Sequence, residues 1–228
     1  MIKLVAFDMD GTLIDVASSW AAVHQHYGLS NAKAVERFLR DEIDDVEFVR
    51  ADVQLWQSVN PDISIDDLER ILGKVPLMPG ARELVAGLRS DGIRTAIISG
   101  GLDVAARRVG RELGIDYVLA NGIRVRPDGR LTDEGIVRVP IKQKDRVLAA
   151  VQRQLSVTRE ETASVGNSEI DIAMFRESRV GIAFRPEDPP TRAAATFVIE
   201  GGSLLPALAY LRSVRDGPPA AALPKADP

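Results

Sequence analysis

Two aspartates, Asp8 and Asp10, stand two residues apart directly after the apolar run Leu4-Val5-Ala6-Phe7, and Gly11-Thr12 follows them. A short buried strand would deliver both carboxylates to its C-terminal end. Alternate side chains of a strand point to opposite faces, so the acids converge on one pocket only if the backbone departs sharply after Asp8. Gly11 and the following Leu13-Ile14 allow that bend. One carboxylate could then act as a nucleophile while the other, in a different environment, shuttles a proton. Taken alone, the pair reads equally well as a strand-ending turn whose aspartates satisfy loose backbone amides.

The elements that must position these acids alternate between short apolar strands and amphipathic helices. Strands are predicted over residues 2–7, 94–98, 116–120, 161–165 and 179–183, with helices over 80–91, 102–113 and 142–155. Such alternation argues for an α/β fold, a three-layer Rossmann-like parallel sheet with helices on both faces. Ligands of that architecture bind beyond the carboxyl ends of the strands, where Asp8, Ser99 and Gly166 would lie. Residues 16–73 break the alternation. They read as helices over 16–27, 32–42, 46–59 and 65–72, with Ser30 and Ser64 as N-caps and Asp67 three residues after Ser64. A helical cap inserted after the first strand suggests a lid over the site. Residues 122–139, around Arg126-Pro127-Asp128-Gly129-Arg130, read as a small β-hairpin appendage. The expected division is therefore a core of residues 1–15 and 74–213, a cap of 16–73, and a Pro- and Ala-rich tail of 214–228 expected to be disordered.

Composition narrows the chemistry. A chain of 228 residues, 45% hydrophobic, suits one large domain or a main domain with an insertion. Its 29 basic and 33 acidic residues give a formal charge of −4, which suggests neither nucleic acid nor an anionic membrane as partner. The absence of cysteine excludes disulfides, thiolate metal sites and cysteine nucleophiles. The two histidines, His24 and His26, cannot build a His-rich zinc centre, so a metal here would be held by oxygen, which favours Mg²⁺. No apolar stretch approaches the roughly 18 residues of a membrane span. With candidate catalytic acids from position 8, a cleaved signal peptide is not expected, and a cytoplasmic protein is. Exposed apolar surface could create a homodimer, but nothing in the sequence locates it.

Four pieces stand in chain order: Asp8-x-Asp10-Gly11-Thr12, Ser99-Gly100-Gly101, Lys144, and Gly166-Asn167-Ser168-Glu169-Ile170-Asp171. Together, over residues 2–211, they resemble the four motifs of the haloacid dehalogenase (HAD) superfamily of phosphohydrolases. The insertion site, the hairpin and Ile97-Ile98-Ser99-Gly100-Gly101-Leu102-Asp103 are most similar to its phosphoserine phosphatase-like branch. The resemblance implies that Asp8 attacks phosphorus to form an aspartyl-phosphate. It also implies that Asp10 protonates the leaving oxygen and then activates water, a role typically worth ~10²–10⁴ in rate, while its backbone carbonyl binds Mg²⁺. Mg²⁺ would bridge Asp8 and a phosphoryl oxygen. Ser99 and the amides of Gly100 and Gly101, where a strand feeds a helix, form a natural phosphate cradle; the alternative is an ordinary turn with Ser99 as N-cap. Lys144 would set a positive charge between Asp8 and the phosphate, ~4 kcal/mol at about 4 Å with an effective dielectric of about 20, before desolvation. Lys142 is its rival, but the spacing to Asn167 resembles the family pattern better for Lys144.

The chain departs from the family at the metal site. Members usually carry Gly-Asp-x-x-(Asn/Asp)-Asp, so Asn167 replaces a carboxylate ligand and Ile170 a polar residue. An amide oxygen coordinates Mg²⁺ but brings no charge. In one reading, Asp171 and Glu169 restore that charge in a working enzyme of weaker metal affinity, with Asp8, Asp10, Asn167 and Asp171 as the metal set. In the other, the protein is a metal- or phosphate-binding regulatory module. The intact Asp8, Asp10, Ser99 and Lys144 favour the enzyme.

In phosphoserine phosphatases a Glu after the first motif and a cap Arg recognise the amino acid. Those positions fall near Ala17 and Asp52, with Arg50 close by, and neither matches. Ser19, Trp20, Arg50 and Trp56 are the candidate substrate contacts. Trp20, Val23 and Tyr27 also fit a helix core stripe, and His24 and His26 read as partly exposed helix residues. An enclosing lid favours a small phosphorylated metabolite over a phosphoprotein. Phosphoserine is the best single name by resemblance, with phosphoglycolate and sugar phosphates open. A phosphomutase keeps both acids and a cap and also stays open. A dehalogenase would not need Asp10, and a response-regulator receiver is about half this length and lacks a lid.

Overall fold

The first apolar run forms the central strand of the sheet. In a computed structural model that describes residues 1–214, β1 (Leu4–Phe7) pairs in parallel with β2 (Arg94–Leu102) and β5 (Thr162–Gly166). Outward lie β3 (Tyr117–Val125) and β4 (Leu131–Ile136) at one edge, and β6 (Val180–Phe184) and β7 (Phe197–Ile199) at the other. The order is β4-β3-β2-β1-β5-β6-β7, parallel throughout except for the β3–β4 hairpin. The α/β parallel sheet expected from the alternation of elements is therefore the fold.

Continuous apolarity in β1 follows from burial on both faces. Val5 and Phe7 share a cluster with Leu84 and Leu88 of α5 (Ala81–Ser90) and Val109 of α6 (Asp103–Leu113). Leu4 and Ala6 instead meet Leu148 and Val151 of α7 (Lys144–Leu155). The alternation of strand side chains thus divides one four-residue run between two layers.

Four helices follow β1 with no strand among them: α1 (Ser19–His26), α2 (Ala32–Leu39), α3 (Asp45–Gln57) and α4 (Ile65–Leu72). Capping boxes start α3 at Asp44–Glu47 and α4 at Ser64–Asp67. For α2 the N-cap is Asn31, not Ser30, and it makes no side-chain cap bond. Val23, Val53, Trp56, Leu68 and Leu72 belong to the same buried cluster as Val5 and Phe7, so the inserted helices share one core with the sheet.

The hairpin is a buttress for this insertion. Gln54 Nε2 donates to Asp133 (3.0 Å) and Gln57 Nε2 to the Leu131 carbonyl (3.1 Å). The Ile65 amide donates to the Gly129 carbonyl, and the Leu131 amide to that of Ile63, each at 2.9 Å.

Short elements complete the second half: α8 (Ile172–Arg176), α9 (Pro189–Ala194), which opens on a proline after an Asp188 cap, and α10 (Leu205–Ser213). Val214, the first residue of the expected tail, is buried against this core; residues 215–228 lie outside the described residues. Among the described residues no helix is long and apolar enough to cross a membrane.

Candidate active site

Asp8 extends β1 by one step, its amide donating to the Val165 carbonyl (2.9 Å). The chain then turns: the Leu13 amide donates to the Met9 carbonyl (2.8 Å) and the Gly11 amide to that of Ile14 (3.1 Å). Gly11 has φ +72°, and a Cβ there would run into the Asn167 side-chain amide. Only glycine supplies both the left-handed backbone and the close approach. The turn swings Asp10 back beside Asp8. Asp10 Oδ2 accepts from the Ser19 amide (2.7 Å) and the Ser19 hydroxyl (2.8 Å), while its Oδ1 is buried with no partner. The sharp departure that convergence of the two acids requires is present.

Lys144 opens α7, and its Nζ lies 2.7 Å from both Asp8 Oδ1 and Asp171 Oδ1. The rival Lys142 points away, to Asp41. Asp171, expected among the metal ligands, faces elsewhere. One oxygen holds Lys144, and the other accepts from the amides of Asn167 (3.0 Å) and Ser168 (3.1 Å) and from the Ser168 hydroxyl (3.2 Å). With both oxygens engaged in the interior, it is a support for Lys144. Glu169, the other expected source of charge, is exposed and does not line the cavity.

Ser99, Gly100 and Gly101 lie within β2, which shifts register against β3 between Ser99 and Leu102 before α6 begins. Ser99 is therefore not an N-cap; its Oγ accepts from the Gly101 amide (3.1 Å). That bond engages one of the amides expected in the phosphate cradle. A Cβ on Gly101 would lie 2.7 Å from both Asp10 Oδ2 and Ser19 Oγ, which explains a glycine there. The Gly100 carbonyl accepts from Trp20 Nε1 (3.0 Å), tying α1 to this strand end.

Buried Asn167 donates from Nδ2 to Glu187 Oε1 (2.9 Å), and the Glu187 amide donates to the Asn167 carbonyl (2.8 Å). Glu187 was missed in the sequence reading, although it follows the C-terminal end of a predicted strand, the position from which such sheets build sites.

A cavity of ≈ 340 Å³ joins these groups. Asp8, Asp10, Ser99, Lys144, Asn167 and Glu187 line one end; Ala17, Trp20, Ala21, Val35 and Phe48 from the inserted segment line the other. Among the proposed substrate contacts, only Trp20 lies on this wall. Ser19 is buried and spent on Asp10, its Oγ also accepting from the Leu102 amide (2.9 Å). Arg50 is exposed and away from the cavity. Trp56 is wholly buried, stacked on Trp20 at 5.7 Å with Nε1 donating to His24 Nδ1 (2.9 Å). His24 is likewise buried, against the reading of a partly exposed residue, because Trp56 and Asp52 (3.2 Å from Nε2) enclose it; His26 is exposed.

Burial sets the electrostatics. It pushes Asp8 up to about 7, against the attraction of Lys144 and with help from Asp171 and Asp10. Burial raises Asp10 too, opposed by the bonds from Ser19. For Lys144 burial disfavours the charge, but Asp171 and Asp8 overcome it and raise the pKa. Glu187 is raised by partial burial and by the charges of Asp171 and Asp188, opposed by the bond from Asn167. The wall around Asp8 offers oxygen donors from Asp8, Asp10 and Asn167, a set that suits a hard divalent cation. Among the described residues no three acidic or histidine side chains gather closely enough to form a metal cluster alone.

The sequence matches the haloacid dehalogenase-like hydrolase family over residues 5–176. It is 32% identical to a phosphoserine phosphatase of Idiomarina loihiensis, across 92% of this chain and 93% of that one. It is 31% identical to a phosphoserine phosphatase of Archaeoglobus fulgidus across 82% of this chain, but spans only 53% of that relative's length. A solved structure described as a phospho-aspartyl intermediate analogue of phosphoserine phosphatase shares the fold with a TM-score of 0.77 at 27% identity, over 92% of this chain and 98% of that one. A family match that runs from β1 through the fourth motif, on the sheet and site just described, has one reading: the chain belongs to the haloacid dehalogenase-like hydrolases, in their phosphoserine phosphatase-like branch.

Proposed function

We propose that this hydrolase is a Mg²⁺-dependent phosphomonoesterase that acts on a small phosphorylated metabolite through an aspartyl-phosphate on Asp8. The observation that carries the reading is the shared cavity wall of Asp8, Asp10, Ser99 and Lys144, with one Asp10 oxygen buried and unpartnered. A buried polar atom left without a partner is costly unless it serves a ligand or a reaction.

A carboxylate oxygen of Asp8 attacks phosphorus as the bond to the alcohol oxygen breaks, and Asp10 gives its proton to that oxygen. Water then attacks the phosphorus of the Asp8 phosphate, Asp10 takes the water's proton, and Asp8 leaves as the free carboxylate with release of inorganic phosphate. Burial, which raises the pKa of Asp10, suits it to carry that proton. Ser19 orients it through two bonds. Lys144, steadied by Asp171, offsets negative charge beside Asp8, and Ser99 faces the phosphoryl group. Held by the Asp8 carboxylate, the Asp10 backbone carbonyl and the Asn167 amide oxygen, Mg²⁺ would offset the repulsion between carboxylate and phosphate.

Residues 16–73 serve as the cap, since they furnish the wall opposite Asp8, and residues 1–15 with 74–213 as the core. The relatives' names bring forward phosphoserine as the first metabolite to assay. Phosphate release from a panel of phosphomonoesters should require Mg²⁺ in the wild type and vanish in Asp8→Asn. Full turnover by Asp8→Asn would overturn the assignment of the nucleophile.

A further inference from the structure

Charge is confined to one end of the cavity. The charged side chains on its lining are Asp8, Asp10, Lys144 and Glu187, all at the end assigned to phosphate. The rest of the lining carries no charge: Ala17, Ala21, Val35 and Phe48 come from the inserted segment, Trp20 and Ile141 flank Gly100, and Ser18 and Asn31 are neutral polar neighbours. Nearby cations are engaged or elsewhere: Lys144 holds Asp8 and Asp171, Lys142 holds Asp41, and Arg50 is outside the lining. Two cap acids stand behind the wall and are engaged there: Asp45 accepts from the Ile141 amide (2.9 Å), and buried Asp52 accepts from Asn31 Nδ2 (2.9 Å) and faces His24.

An amino-acid ester would set an ammonium and a carboxylate against this half-exposed wall, displacing part of the water of both and returning no ion partner from it. Charges buried without partners are strongly disfavoured. Trp20 and Phe48 offer ring surface that rewards an apolar group instead. Resting on the phosphatase reading above, we infer that the alcohol released here is uncharged with an apolar body, a short alkyl or aryl alcohol rather than an amino acid.

The test compares kcat/KM for phosphate release at saturating Mg²⁺ from O-phospho-L-serine, n-propyl phosphate, which keeps that carbon skeleton without its charges, and n-butyl phosphate. Both alkyl esters should exceed phosphoserine by about tenfold or more. Val35→Lys, at a partly exposed position of the wall, should narrow the gap by improving phosphoserine; Phe48→Arg provides a second variant with the same expected direction. Phosphoserine equal to or better than the alkyl esters in the wild type would overturn the inference and leave the phosphatase reading standing. Release from none of the three would overturn the phosphatase reading and this inference with it.

Discussion

Asp8 and Asp10 are chemically identical side chains held in different surroundings. Lys144 sits on Asp8, whereas Asp10 is gripped on one oxygen by Ser19 and bare on the other. Ser19→Ala removes one of two bonds that orient Asp10, so kcat should fall about tenfold or more with KM nearly unchanged, the magnitude expected of a bond to a charged group. The pH dependence of stability has a definite sign. Asp8 titrates near 7 in the fold against an ordinary 3.8, so the metal-free folded protein keeps a proton that the unfolded chain releases. The stability from this group is present below about 3.8 and lost as pH rises through about 7. The Tm of metal-free wild type should therefore drop, relative to Asp8→Asn, between pH 5 and about 8. A constant difference between the two would contradict the raised pKa. At Asn167, substitution by Asp should tighten Mn²⁺ binding measured by calorimetry while lowering the metal-free Tm, because Glu187 would then face a carboxylate instead of an N–H donor. Asp8, Asp10 and Lys144 were legible as residues because their spacing is local and their chemistry specific. The role of Ser19 was not, since its contact with Asp10 exists only after the turn at Gly11 brings Asp10 to the start of α1, beside the end of β2. Nor was the inward turn of Asp171, which depends on two amides and a lysine that converge only in three dimensions.

At the scale of elements, the apolar alternation found five of the six parallel strands, and of the two caps read from the sequence Ser64 holds while Asn31 stands in place of Ser30. Ser64 behaves as its sequence pattern says, and Ser64→Ala should cost about 1 kcal/mol in thermal or denaturant unfolding. Gly101 shows what the pattern could not reveal. Its position two residues after Ser99 suggests a helix start, yet the strand runs on, and the missing side chain leaves room for Asp10 and Ser19. Gly101→Ala should accordingly suppress turnover and, by overpacking a buried site, cost about 1–3 kcal/mol, read by kcat alongside a melting curve. The short elements near the C-terminus escaped the sequence reading for plain reasons. A three-residue strand such as β7 has no measurable period, and Pro189-Pro190 looks like a loop although proline is well suited to the first turn of a helix.

Across the whole molecule, the inserted helices and the sheet bury one common apolar cluster, and the β3–β4 hairpin props the insertion from the side. The wall facing Asp8 is thereby held to the strand ends at several points, including the bond from Trp20 to the Gly100 carbonyl. In the proposed reaction, phosphorus passes first to Asp8 and then to water. The stereochemical course at phosphorus tests that sequence most directly, using a phosphorothioate monoester made chiral with two oxygen isotopes and hydrolysed in water carrying the third, so that the released thiophosphate is itself chiral. Two successive in-line displacements predict net retention of configuration; inversion would mean that water attacks the ester directly and that Asp8 never carries the phosphoryl group.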